Sequence, residues 1–186
     1  MLKTKKAILT LEDGSTFEGN SFGFDKACAG EVVFNTAMTA YPESLTDPSY
    51  LGQILVSTYP LIGNYGVPSR EIKDGMSEFL ESEKIHPEAI ICQDYSWDYS
   101  HWDAASSLSD WLKEEKVVGV YGIDTRALTK VLREKGSMLG KIVVEGCSDV
   151  DFYDPNKENL VAKASCKEIR EYGPADGKKV VLVDCG

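Results

Sequence analysis

The chain carries few side chains able to do covalent chemistry, and their spacing limits them further. Five cysteines stand at positions 28, 92, 147, 166 and 185, and two histidines at 86 and 101. Zinc sites draw their ligands from close pairs, two Cys or two His a few residues apart. No such pair occurs, so no metal is expected. An odd, scattered set of cysteines also argues against a disulfide framework and suits a reducing compartment. A thiol nucleophile needs a lowered pKa and a partner base, and nothing around either histidine suggests one. Cys92, within Ala89-Ile90-Ile91-Cys92, reads as a small buried hydrophobe. Asp94 and Asp98 could form an acid–base pair, but in so acidic a stretch they read as solvated. Gly-x-Gly-x-x-Gly and Walker-type loops are absent. No catalytic residue is assigned.

Binding chemistry has a better candidate. Asn35-Thr36-Ala37-Met38-Thr39-Ala40-Tyr41-Pro42-Glu43-Ser44-Leu45-Thr46-Asp47-Pro48-Ser49-Tyr50 reads as a long, hydroxyl-rich loop between two strands. Loops on rigid strands present polar groups that a core could not satisfy. Within it, Thr46-Asp47-Pro48-Ser49 is a turn, with Asp first and Pro fixing the next φ. Asp47 and Thr46 are expected to serve the loop's own backbone, leaving the Ser49 hydroxyl free to reach a ligand.

Composition sets the frame. Of 186 residues, 42% are hydrophobic and 27% charged, which fits a folded globular protein and excludes collagen, coiled coil and disorder. The net charge is −10, and most of the excess lies between Glu71 and Glu115, where 12 acidic residues face three basic ones. Nucleic-acid binding needs clustered Lys and Arg and is excluded. The acidic middle reads as a solvated face, or more sharply as a docking surface for a basic partner. The longest uncharged run, Pro48 to Ser69, is too polar to span a membrane. The start of the chain has basic residues but no apolar signal core, so a cytoplasmic location is expected.

The elements that must position Ser49 are mostly strands. Ala7–Leu11 and Thr16–Gly19 flank an Asp13-Gly14 turn, a strong hairpin signal. Further strands are expected over Gly30–Asn35 and Gln53–Tyr59, the latter stopped by Pro60. The apolar runs Ala89–Cys92 and Val117–Tyr121 have the pattern of strands covered on both faces. Helices are expected over Gly75–Glu83, from Met76, Phe79 and Leu80, and over Ala104–Glu115, from Ala105, Leu108, Trp111 and Leu112. A third is expected after Asp124 or Thr125, with Leu128, Val131 and Leu132 on its inner face and an end at Gly136. From Gly146 to Gly177 the chain turns polar, with turn signals at Asp154-Pro155-Asn156 and Gly173-Pro174 and a short helix near Asn159–Ala164. Lys178-Lys179-Val180-Val181-Leu182-Val183-Asp184-Cys185-Gly186 has the form of a buried strand that opens a parallel α/β domain, or that completes the preceding sheet.

Several blocks together resemble a known family. They are Gly30-Glu31-Val32-Val33-Phe34-Asn35-Thr36, Met38-Thr39-Ala40-Tyr41-Pro42-Glu43, Leu45-Thr46-Asp47-Pro48-Ser49-Tyr50, Thr58-Tyr59-Pro60-Leu61-Ile62-Gly63-Asn64-Tyr65-Gly66 and Gly122-Ile123-Asp124-Thr125-Arg126-Ala127-Leu128-Thr129. In this order they resemble the small subunit of glutamine-hydrolysing carbamoyl phosphate synthetase, over most of residues 6–145. The resemblance implies an α/β fold of the β/β/α swivelling type: a strand-rich N-terminal domain with helices, followed by an α/β class I glutamine amidotransferase domain bearing a Cys-His-Glu triad. That second domain hydrolyses glutamine. Its ammonia passes to a large subunit that makes carbamoyl phosphate from bicarbonate and ATP for arginine and pyrimidine synthesis.

Transferred to this chain, the resemblance implies an N-terminal domain over 1–145, a connector over 146–178, and the first strand of a truncated amidotransferase domain over 179–186. It assigns Ser49 to glutamine binding at the interface with the missing domain and gives Cys185 no catalytic part. The partner is the large subunit, which uses ATP and Mg, and this chain itself holds no cofactor. Without the triad it is expected to be inactive alone. The alternative, from a different class, is a free-standing non-catalytic binding or regulatory module with the same fold.

Overall fold

The Asp13-Gly14 turn starts the architecture. In the computed structural model, which describes residues 4–173 and 176–186, Gly14 takes φ +86° and Asp13 Oδ1 accepts from the Ser15 amide at 2.9 Å. This joins β1 (Lys6–Leu11) to β2 (Thr16–Ser21), antiparallel with Thr10 opposite Thr16. Next come β3 (Cys28–Asn35), α1 (Tyr41–Thr46), a 3₁₀ turn over Pro48–Tyr50, and β4 (Gln53–Ser57). Short strands fill the middle: β5 (Leu61–Ile62), β6 (Val67–Pro68), β7 (Ile72–Lys73), β8 (Met76–Ser77), β9 (Ala89–Ile91), β10 (Asp94–Tyr95) and β11 (Ala104–Ser106). The remainder is α2 (Leu108–Glu114), β12 (Val118–Tyr121), α3 (Thr125–Lys135), β13 (Met138–Val144), a 3₁₀ turn over Pro155–Lys157, and α4 (Leu160–Ala164).

Seven strands close into a barrel in the order β1-β13-β3-β4-β9-β12-β2. The β3-β4-β9-β12 side is parallel and the rest antiparallel. Closure removes the sheet edges that would otherwise template aggregation. Alternation supplies the interior: Ala7, Leu9 and Leu11 from β1, and Met138, Ile142 and Val144 from β13, all face in. α3 adds Leu128 and Leu132 to this cluster. The parallel strands are buried on both faces. Ile54 and Ile91 join the barrel interior, while Ile90 faces a second cluster with Leu45, Trp111 and Leu112.

The architecture is thus a strand-rich mixed α/β domain, as expected. The hairpin, the strands near 30–35, 53–57, 89–91 and 118–121, the helix capped by Asp124 and the short helix capped by Asn159 all form. Four expectations need correction. The 35–50 segment is not all loop, because α1 and a 3₁₀ turn occupy its second half. No helix forms over Gly75–Glu83. Asp74 and Gly75 both take positive φ, +52° and +82°, and close a two-residue hairpin between β7 and β8; both central residues of a type I′ turn need that conformation, which overrides the weak helical spacing. α2 begins at Leu108, not Ala104, because Ser107 caps it by accepting from the Asp110 amide, and Ala104–Ser106 pairs with β6 instead. Val180–Val183 forms no strand: its side chains are between 77% and 92% exposed. Among the described residues it has no neighbouring strand to supply ladder hydrogen bonds. β13 was not anticipated: its burial alternates strictly in the fold, but the outward Leu139 and Val143 are as apolar as the inward Met138 and Ile142, so no period-2 pattern shows in the sequence. The Gly173-Pro174 turn signal reaches outside the described residues. No helix among them is long and apolar enough to cross a membrane.

Candidate functional site

The stretch that carries Ser49 is shaped by its two ends. At the exit of β3, Asn35 Oδ1 accepts from the Ala37 amide at 2.7 Å, and its Nδ2 donates to Ser44 Oγ and Tyr50 Oη, both at 3.2 Å. The Asn35 carbonyl takes the Thr58 amide at 3.0 Å. The Asn35 side chain therefore ties the start of the loop, the body of α1 and its following turn to the end of β3. Ala40 sits at the helix start in the left-handed region, φ +65°, which turns the chain into α1; this is a costly conformation for a residue with a Cβ. Pro42 then occupies the first turn, where no N–H is needed.

Packing holds that strained start. The Tyr41 and Tyr65 rings lie 4.4 Å apart, the Tyr41 amide donates to Tyr65 Oη at 3.1 Å, and Tyr41 Oη donates to the Gly66 carbonyl at 2.5 Å. Burial pushes the Tyr41 and Tyr65 hydroxyls up from their ordinary pKa, so both stay protonated, Tyr41 as donor to the Gly66 carbonyl and Tyr65 as acceptor from the Tyr41 amide. Leu45 and Thr46 are fully buried.

At the far end Asp47 Oδ1 accepts from the Ser49 amide at 2.8 Å, and the Asp47 and Pro48 carbonyls take the Tyr50 and Leu51 amides, each at 3.1 Å. Thr46 Oγ1 donates to the Pro42 carbonyl at 3.1 Å. Asp47 and Thr46 thus serve backbone, as the sequence suggested. Ser49 is exposed, and among the described residues its hydroxyl has no hydrogen-bond partner. It borders a cleft of about 460 Å³ lined by Asp47, Pro48 and Leu51 on one side and by Leu160, Val161 and Asp184 on the other. The Cys166 and Gly186 amides donate to the Asp184 carboxylate and hold its pKa down at about 2. A free hydroxyl on a doubly fixed turn can orient a small polar ligand. It has no base beside it to make it a nucleophile.

Sequence reasoning missed Ser82 and His86. Ser82 Oγ lies 2.8 Å from His86 Nε2, the spacing of a nucleophile and its base. The hydroxyl proton, however, goes to the Thr46 carbonyl at 2.6 Å, shared with the Lys84 carbonyl at 3.2 Å, so it is not held for transfer to the imidazole. This pair is structural. The two buried thiols are equally unsuited to attack: burial pushes Cys28 up to about 12 and raises Cys92 as well. Asp94 and Asp98 are both exposed. No group of three or more Cys, His, Asp or Glu able to hold a metal occurs among the described residues.

Residues 9–142 match the family model of the carbamoyl-phosphate synthase small chain, CPSase domain. The chain belongs to that family, as the Asn35–Tyr50 and Gly122–Thr129 blocks suggested. It is 52% identical to carbamoyl-phosphate synthase [ammonia], mitochondrial, of Homo sapiens over all of its own length and 12% of that protein's. It is 50% identical to multifunctional protein pyr1-3 of Dictyostelium discoideum, covering 9% of it. It is also 48% identical to the arginine-specific carbamoyl phosphate synthase small chain of Eremothecium gossypii, of which it spans 48%. The chain therefore corresponds to half or less of each of these relatives. Among solved structures, an aminopeptidase from Aneurinibacillus sp. strain AM-1 superposes with a TM-score of 0.37 at 14% identity, covering 78% of this chain and 31% of that one. At that level the likeness defines neither fold nor activity.

Proposed function

We propose that the chain is the N-terminal domain of a carbamoyl phosphate synthetase small subunit, of the β/β/α swivelling type, and that it lends Ser49 to a glutamine site completed by an amidotransferase domain. In this reading the whole subunit hydrolyses glutamine and delivers ammonia to a large subunit, which uses ATP and Mg to make carbamoyl phosphate in the cytoplasm. The chain alone does no bond-making chemistry. Its tasks are to scaffold the site and to dock the partner.

The observation that carries this reading is the Ser49 hydroxyl, unpartnered among the described residues, on a turn whose Ser49, Tyr50 and Leu51 amides are all engaged. A preorganised donor loses little entropy when it meets a ligand amide or carboxylate. In the full-length protein, Ser49→Ala is expected to raise KM for glutamine by roughly two- to twelvefold with kcat little changed, because one hydrogen bond contributes about 0.5–1.5 kcal/mol. Unchanged kinetics would reduce Ser49 to a turn residue. The isolated chain should release no glutamate from glutamine, and turnover would overturn the division of labour.

A second reading has its own support in the human relative, whose name specifies ammonia. A chain working in that mode would serve a synthase fed by free ammonia, with the Ser49 turn purely structural. Carbamoyl phosphate formation by the full-length protein with glutamine, and then with ammonium chloride, separates the two. For docking, the support is the exposed aromatic segment from Trp97 to Trp102, in which Trp102 is 86% exposed and Trp97 and Tyr99 are near 40%. Aromatic anchors dominate interface energetics, and we assign this segment to the large subunit.

A further inference from the structure

The segment 81–86 connects the β7–β8 hairpin to β9, and it is fastened to the end of α1 immediately before the Ser49 turn. The Glu81 amide donates to Thr46 Oγ1 at 3.1 Å, Ser82 Oγ donates to the Thr46 carbonyl at 2.6 Å, and the His86 amide donates to the Leu45 carbonyl at 2.9 Å. Since the one Ser82 hydroxyl proton goes to a backbone carbonyl, its oxygen must accept from His86 Nε2. The network therefore places the imidazole proton on Nε2. Nδ1 is then a bare acceptor, buried and without a partner among the described residues, in a side chain whose residue is only 9% exposed.

We propose that Ser82 and neutral His86 are positioning residues: together they form a latch that holds the Thr46–Ser49 turn in its ligand-binding geometry and releases it on acidification. The inference rests on the reading of Ser49 as a ligand contact. Protonation would put a second N–H, now charged, at Nδ1, where no acceptor stands. Burial of the ring and the like charge of Lys84 oppose it, and only Asp47, from the turn itself, favours it. An imidazolium in such a place is relieved by moving out toward water. If it moves, Ser82 loses its donor and the hydrogen bond to the Thr46 carbonyl loses its fixed partner. Thr46 is directly followed by Asp47, Pro48 and Ser49, so slack at Thr46 is slack at the Ser49 hydroxyl.

The test is amide hydrogen exchange in the full-length protein, corrected for intrinsic exchange rates, read at Ser49, Tyr50 and Leu51. Ile54 and Val56 in β4 report whether the barrel is intact. In the wild type, protection of the three turn amides is expected to fall about three- to tenfold from pH 7.5 to pH 5.5, the equivalent of one hydrogen bond, while the β4 amides remain far more strongly protected than the turn. Ser82→Ala should lose that protection at both pH values. His86→Gln, a neutral donor, should keep it at both. Paired kinetics on Ser82→Ala should show a raised KM for glutamine with kcat preserved. Turn protection that ignores pH in the wild type, or that survives in Ser82→Ala, would overturn the latch. Exchange does not involve glutamine, so a failure of the Ser49 reading would appear separately, as unchanged KM in Ser49→Ala with the latch behaviour intact.

Discussion

At the residue scale, His86 makes stability depend on pH in a direction that follows from its surroundings. Burial lowers its pKa below the ordinary histidine value of 6.5. Between that value and the lowered one, the unfolded chain binds a proton that the folded chain does not, so stability rises with pH. The contribution is complete above the ordinary value and is lost as pH falls through the lowered one. The urea midpoint is therefore expected to drop between pH 7 and pH 5, and to drop less in His86→Gln, after allowance for the carboxylates common to both. Parallel pH profiles for the two proteins would remove His86 as the cause. By contrast, the Asp13 carboxylate, held at about 2 chiefly by Lys135, lies at the surface, where solvent screens the pair, and is expected to add little.

At the element scale, the Ser49 turn depends on how closely β3 and β4 approach. Gly30 of β3 faces Gly52, the residue that leads from the turn into β4 with φ +76°. A Cβ at position 30 would lie 2.4 Å from the Gly52 carbonyl oxygen, a backbone atom that cannot swing aside. Gly30→Ala should thus cost about 1–3 kcal/mol and weaken glutamine binding beyond its effect on stability, measured as a lower urea midpoint and a higher KM. A helix cap behaves differently. Asp124 Oδ1 accepts from the Ala127 amide at 2.8 Å at the start of α3; Asp124→Ala should cost about 1 kcal/mol and leave KM unchanged, because α3 does not touch the turn's hydrogen bonds.

At the scale of the whole molecule, two apolar side chains have opposite duties. Leu128 is fully buried among the barrel's inner residues, and Leu128→Ala should cost about 2–5 kcal/mol. Trp102 is larger and almost wholly exposed. Trp102→Ala should shift stability by no more than about 0.5 kcal/mol, yet reduce co-purification with the large subunit at physiological salt. A protein that still co-purifies fully with its partner after this change docks through another face. The acidic stretch between Glu71 and Glu115 divides accordingly. The part from Gln93 to Asp103 carries the exposed aromatics with Asp94, Asp98 and Asp103 and holds no Lys or Arg, whereas the β7–β8 hairpin is an exposed ribbon with no such cluster of rings.

Local signals settled much of this protein before folding is considered. The Asp13-Gly14 hairpin, the twice-covered runs at 89–92 and 117–121, and the Asp124 cap are legible because each is decided within a few residues by turn chemistry, burial pattern or a single side-chain oxygen. Asp47 and Ser49 could be placed on one turn for the same reason, and the blocks around them were enough to indicate the family. Tertiary structure decided the rest. β13 closes the barrel by pairing with β1 and β3, each more than a hundred residues away, and such pairing is not written in local propensity. Helical spacing at 76–80 lost to two positive φ angles, and apolar Val180–Val183 found no ladder to join. Ser82 reaches Thr46 across 36 positions of sequence, and the His86 amide reaches Leu45 from farther still, so the hydrogen bonds that hold the Ser49 turn exist only once the chain is folded.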